Sequence, residues 1–248
     1  MKEKVMEFLK GLTAKQIIIG IALAAVIIYI MRLNSFNYIL YTLPALMIAI
    51  TVHEFGHAFI ARKYGDDTAK DRITLNPFKH IDWIGLLSLF ICGIGWGKPV
   101  EIDPNNFKKK NIPIDRIEAI VALAGPVANL ITAVLLMVLI RVFLSIGIIG
   151  LLKNYVLFEI LKIAVLINIG MGVFNLIPLP PLDGSKILVA LLPEKARAWY
   201  TNNERLLYIV FIIIWVTPIA TMIISPIIGG INKFLLSLIY TIAGKILI

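Results

Sequence analysis

Two histidines, His53 and His57, stand four residues apart in Thr51-Val52-His53-Glu54-Phe55-Gly56-His57. On a helix that spacing puts both rings on one face, where a pair of imidazoles can supply two ligands to a zinc ion. Glu54 lies beside the first ring and nearly one turn before the second, so its carboxylate can take a proton from a water that such a metal activates. Five residues of this kind are only moderately specific by themselves. Their setting adds weight, because they fall inside an apolar run, where a titratable side chain costs roughly 2.5 to 3.5 kcal/mol and is kept for a partner or a function.

A catalytic zinc takes three protein ligands and leaves one position open. A third ligand must therefore come from elsewhere in the chain. The segment Asn175-Leu176-Ile177-Pro178-Leu179-Pro180-Pro181-Leu182-Asp183-Gly184 closes another apolar run, and its prolines must interrupt a regular helix. At membrane depth such irregular backbone is tolerated only where protein or a water-filled cavity surrounds it. Asp183, just after the break, is either the N-cap of a short helix from Ser185 to Leu192 or the third ligand. Asn175 has a packing reading as well, since Gly172 and Asn168 share its helix face. Asn129, which follows Gly125-Pro126, reads as helix packing. His80, in a charged loop, reads as solvated. Glu159 and Lys162, three residues apart, read as an ion pair.

The elements that carry these residues are membrane spans. Of 248 residues, 59% are hydrophobic and 16% charged, with a mean hydropathy of +0.90, far from the balance of a soluble domain. The apolar residues form long runs at 17–31, 39–60, 117–144, 155–177, 206–224 and 228–248. The expected fold is thus an all-α polytopic membrane protein of about six transmembrane helices. Residues 84–96, short and glycine-rich, predict a re-entrant or β-hairpin segment after the second span. Residues 1–248 read as a single membrane-embedded domain, and 144–155 is too short a link to hold an inserted module.

The net charge of +9 reports topology rather than affinity for nucleic acid. With a cytoplasmic N-terminus, 19 of the 24 Lys and Arg fall in cytoplasmic segments and 5 in the opposite ones. That orientation expects a multi-pass protein of the cell membrane. It brings the ends of the second and fourth spans, and so His57 and Asp183, to the cytoplasmic side, where an opening would admit water. The basic N-terminus reads as preceding an uncleaved span. The one cysteine, Cys92, excludes an intrachain disulfide and reads as a small buried hydrophobe.

Taken together, His53 to His57 and Asn175 to Gly184 resemble the paired HExxH and NxxPxPxLDG signatures of the site-2 proteases. Between them, Gly95-Trp96-Gly97-Lys98-Pro99-Val100, Asn105-Asn106-Phe107 and Ala122 to Asn129 are similar to the stretch that follows the first signature in that family. One departure is Gly97, where many relatives carry Ala. The resemblance spans about Thr51 to Gly184 and belongs to the compact branch without PDZ or CBS modules. It implies one Zn2+ per chain held by His53, His57 and Asp183, a catalytic Glu54, and an Asn175 that helps hold substrate or the developing oxyanion. The substrate it implies is a transmembrane protein, cut within or beside the lipid bilayer, with residues 85–100 offering a strand edge to an unwound segment. A cation transporter would need more intramembrane carboxylates than these spans contain, and an inactive scaffold would not need an intact Glu54.

Overall fold

The computed structural model describes residues 36–92, 96–108, 111–146 and 155–218, with isolated positions beyond. Helix α1 spans Phe36–Lys63, and α2 spans Trp83–Cys92. Two long helices follow, α3 at Ile114–Ser145 and α4 at Tyr155–Asn175. Three shorter ones complete the order: α5 at Asp183–Leu191, α6 at Glu194–Asn202 and α7 at Glu204–Val216.

Three of these helices are long and apolar enough to cross a membrane, over Tyr41–Lys63, Ile114–Phe143 and Val156–Asn175. At about 1.5 Å per residue, the shortest still reaches the roughly 30 Å of a hydrocarbon core. They match the second, third and fourth expected spans, and the protein is a multi-pass membrane helical bundle. The expected first span at 17–31 lies outside the described residues, as do the end of the fifth at 206–224 and most of the sixth at 228–248.

Helix α3 is the central element, packing on α1, α4 and α5. Lipid offers no hydrophobic contrast between helices, so close backbone approach must do more of the work. Gly56 of α1 meets the main chain of Ala124 in α3, where an added methyl would lie 2.6 Å from the carbonyl oxygen. Ala133 and Met137 of α3 interlock with Val165 and Ile169 of α4. Ile117 and Val121 of α3 close on Ala61 of α1, with Ile102, Phe107 and Ile112 around them. On the far side α3 exposes Ile131, Val134 and Leu135, an apolar face suited to lipid.

The segment after α1 is folded rather than solvated. Asp66, 2% exposed, accepts from the Thr68 and Asp103 main-chain N–H groups and from Asn106 Nδ2, tying the exit of α1 to residues 103–106. His80 overturns its expected exposure. It is fully buried, its Nε2 is 2.8 Å from Thr74 O, and its main-chain oxygen accepts from Lys98 N. Buried Arg72 donates to Lys98 O and Pro99 O, so the returning chain covers the ring.

Residues 84–92 of the expected re-entrant or hairpin segment are helical. Asp82 Oδ1 accepts from Ile84 N and Gly85 N at 2.8 and 3.0 Å, which satisfies the first donors of α2. The chain comes back at Gly97, paired antiparallel with Ile81. Residues 93–95 lie outside the described residues.

Candidate metal centre

His53 and His57 occupy the buried face of α1, each 7% exposed. Their rings sit edge to face with centroids 4.6 Å apart. The i, i+4 spacing accounts for the proximity. What aims the rings is α3: His57 Nδ1 lies 2.8 Å from Val121 O, and His53 Nδ1 lies 2.7 Å from Asn129 Oδ1. Val121, Gly125 and Asn129 follow one another at four-residue steps on α3. Gly125, in the middle, leaves room for both imidazoles, because a methyl there would stand 2.5 Å from His57 Nε2 and 2.8 Å from His53 Cε1.

Asp183 comes from the other signature. The chain leaves α4 at Asn175 and turns through the prolines, where the Pro180–Pro181 bond is cis. Tyr200 of α6 donates to Pro178 O at 3.0 Å and fastens that turn. Helix α5 then begins at Asp183 with Leu182 as its N-cap and no side-chain cap, so the capping reading of Asp183 is not realised. Gly184 permits the close return, since a methyl there would fall 2.3 Å from Leu176 O and 2.4 Å from Ile177 O.

These elements bring three donor atoms together. Asp183 Oδ2 is 3.1 Å from His53 Nε2 and 3.3 Å from His57 Nε2, and the two Nε2 atoms are 3.1 Å apart. Zinc bonds of about 2.0 to 2.1 Å in tetrahedral array set neighbouring ligand atoms about 3.3 Å apart, so this triangle matches one face of that tetrahedron. The protonation pattern agrees. A carbonyl oxygen only accepts, so His57 Nδ1 carries the ring hydrogen and Nε2 turns a lone pair inward. Asp183 Oδ2 is buried without a hydrogen-bond donor. With both rings neutral, two imidazole lone pairs and a carboxylate oxygen converge on one point, a donor set that suits a cation. His53, His57 and Asp183 thus form a metal-binding cluster that fits a single Zn2+.

Glu54 is buried beside the cluster, and its Oε2 accepts from Val100 N at 2.9 Å. Residues 97–100 therefore run past the carboxylate. At Gly97 a methyl, as Ala would bring, would meet Ile50 Cγ2 at 2.6 Å and the His80 main-chain oxygen at 3.2 Å while staying 3.6 Å from Glu54 Oε1, so the Ile50 side chain and, by a few tenths of an ångström, the His80 carbonyl would have to give. Asn175 is half-buried at the end of α4 and donates from Nδ2 to Met171 O, one turn back. The distant Glu159 and Lys162 form their expected ion pair at 2.7 Å.

Asn129 is what sequence reasoning understated. Its bond to His53 crosses 76 positions of sequence. The one local signal was a polar residue at helical spacing from Gly125 in an apolar span.

The profile of peptidase family M50 matches residues 41–148 and 144–217, which include all three donors and Glu54. YwhC of Bacillus subtilis, provisionally named a zinc metalloprotease, is 35% identical over 84% of this chain and 94% of its own length. Rip2 of Mycolicibacterium smegmatis, provisionally named likewise, is 33% identical over 69% of this chain and 65% of its own. Zinc metalloprotease MJ0392 of Methanocaldococcus jannaschii is 29% identical over 67% of this chain and 38% of its own. No solved structure matches. With the donor triangle enclosed by helices of a membrane bundle and the family profile covering it, the chain belongs to peptidase family M50, the zinc metalloproteases of the membrane.

Proposed function

We propose that the chain hydrolyses peptide bonds within or beside the transmembrane segments of membrane proteins, with Glu54 as general base and proton shuttle. The carrying observation is the 3.1 to 3.3 Å triangle of His53, His57 and Asp183 with the carboxylate of Glu54 next to His53 in sequence. Zinc bound there would lower the pKa of water from 15.7 toward about 7 and polarise the scissile carbonyl. The chain supplies the rest. Glu54 accepts the proton of the attacking water and returns it to the leaving amine. The Val100 N–H fixes the carboxylate, and Asn175 steadies the substrate or its developing oxyanion.

A helix hides its carbonyls in its own hydrogen bonds, so the substrate span must unwind before attack. The extended run 97–100, already beside Glu54, is suited to lie along an unwound strand. The charge asymmetry of the loops supports a cytoplasmic N-terminus and a cytoplasmic opening to the site. We take residues 1–248 to act as one membrane-embedded unit.

The test is co-expression with a panel of tagged single-span substrates. Glu54→Gln should bind one zinc per chain and leave every substrate intact, and Asn175→Ala should bind zinc and cleave slowly. A zinc-loaded Glu54→Gln protein that cleaves at the wild-type rate would remove Glu54 from its role.

A further inference from the structure

Two asparagines lie fully buried in the apolar bundle, Asn129 on α3 and Asn168 on α4, both at 0% exposure. A buried amide needs partners, and theirs form one chain across three helices. Asn168 Nδ2 lies 2.8 Å from Ala164 O. That carbonyl can only accept, so the atom facing it is the amide nitrogen, and Asn168 Oδ1 turns the other way. Asn129 Nδ2 meets that oxygen at 3.0 Å and Ala49 O of α1 at 2.9 Å. Both hydrogens of the Asn129 amide are thereby used on acceptors. Its Oδ1 is the atom left to face His53 Nδ1 at 2.7 Å. A ring nitrogen against an acceptor must carry the hydrogen, so His53 holds its proton on Nδ1 and presents an Nε2 lone pair to Asp183 and His57. Backbone carbonyls at Ala164 and Ala49, which cannot reverse their polarity, fix every amide orientation in this chain.

We propose that Asn129, locked by Asn168, is a positioning residue of the metal centre: it sets the tautomer and ring orientation of His53 and thereby the zinc affinity of the site. The inference rests on the metal-centre reading above. His57 is set in the same sense by a main-chain carbonyl, which no substitution can remove. His53 depends on a side chain. Partners of this type, which hold the far nitrogen of a ligating histidine, typically govern metal affinity by about 10- to 100-fold.

The rival role for Asn129 is interhelical glue, since its amide also joins α1 to α4. Two substitutions separate the roles. Asn129→Leu removes the acceptor toward His53 and both amide donor bonds. Asn129→Asp also removes both donor bonds, and sets a carboxylate against Ala49 O and Asn168 Oδ1, yet keeps the acceptor toward His53. Glue predicts that Asp is no better than Leu; positioning predicts that Asp recovers what Leu loses.

The measurement is zinc affinity of the full chain in lipid nanodiscs, by competition with a chromophoric chelator. Asn129→Leu should bind zinc about 10- to 100-fold more weakly than wild type, and Asn129→Asp should regain most of that loss. Wild-type affinity in Asn129→Leu, or equal weakening in both variants, would overturn the inference. A wild-type chain that binds no zinc would instead sink the metal-centre reading, and this inference with it. A second readout needs no variant. The chain has three histidines, and 15N spectra of ring-labelled, zinc-loaded protein should show metal on Nε2 and hydrogen on Nδ1 for His53 and His57. His80, with Nε2 against Thr74 O, should show the opposite tautomer. Metal on Nδ1 of His53 would overturn the inference whatever the variants do.

Discussion

Gly125→Ala should abolish most of the activity through a single methyl group. The methyl would stand 2.5 Å from His57 Nε2, 2.6 Å from His57 Cε1 and 2.8 Å from His53 Cε1, where carbon contacts normally settle at about 3.5 to 4.0 Å. Each ring would have to recede by about 1 Å. Neither can do so freely, because His57 Nδ1 is held by Val121 O and His53 Nδ1 by Asn129, and both tethers belong to the helix that carries the new methyl. A site of this kind works within about 0.5 Å of its productive geometry, and a 1 Å displacement costs about 100-fold, or about 2.7 kcal/mol of barrier. The assay pairs zinc stoichiometry with the initial cleavage rate of a tagged single-span substrate. Gly170→Ala is the control, since a methyl there meets nothing within 4 Å. Gly125→Ala that bound one zinc and cleaved within threefold of wild type would refute the packing argument.

Two further outcomes follow from the same structure. Gly184→Ala should lose zinc and cleavage by a similar, roughly 100-fold margin, because its methyl would meet the Leu176 and Ile177 carbonyls at 2.3 and 2.4 Å and lever Asp183 away; metal content decides it, and a zinc-replete variant would contradict it. Acid should weaken the loop after α1 in two stages. Burial, with Arg72 nearby, holds the His80 imidazole below its usual pKa, so the unfolded chain takes up that proton first and stability falls as pH drops below about 6.5. At Asp66 burial raises the carboxyl, but hydrogen bonds from Thr68, Asp103 N–H and Asn106 outweigh it and hold it below the usual range. Its contribution is therefore present above about pH 4 and lost as pH falls through the lower folded value. Melting temperature against pH should show both stages in wild type and lose the lower one in Asp66→Asn; an unchanged lower stage would reject the assignment.

The donor set was legible in the sequence because each half of it is local. Four-residue spacing fixes His53 against His57 on any helix, and the prolines before Asp183 announce a break whatever lies around it. Charge asymmetry supplied an expectation that the two halves share one side of the bilayer. The support shell was not legible, because nothing local to Asn129 names a partner 76 positions away. An asparagine in an apolar helix looks the same whether it bonds a neighbouring helix or a ligand. His80 was misread for a related reason. Its neighbours Lys79 and Asp82 are soluble in character, and its burial depends on distant chain such as residues 97–99, which return to bond Arg72 and the His80 main-chain oxygen. The glycines of 85–97 suggested a hairpin, yet the Asp82 side chain, two and three residues before the donors it caps, is a helix-start signal that outweighed them over residues 83–92.

The charges of the site also explain why it can lie in an apolar bundle at all. Taking an ion out of water costs several kcal/mol even after relaxation, and Glu54 and Asp183 place two carboxylates around His57, with the Asp183 side chain 19% exposed and Glu54 buried. Zn2+ adds two positive charges, so carboxylates and metal sum to zero. The neutral imidazoles, each holding its hydrogen outward to an acceptor on α3, contribute bonds without charge. The same balance makes the tautomers consequential: a hydrogen on either Nε2 would leave the metal one ligand short and the carboxylates partly uncompensated. Asn129 and Val121 O, which hold those hydrogens on Nδ1, are therefore part of what lets a divalent ion sit at membrane depth. That gives α3 a second role besides packing, as the surface on which the two ligands of α1 are aimed.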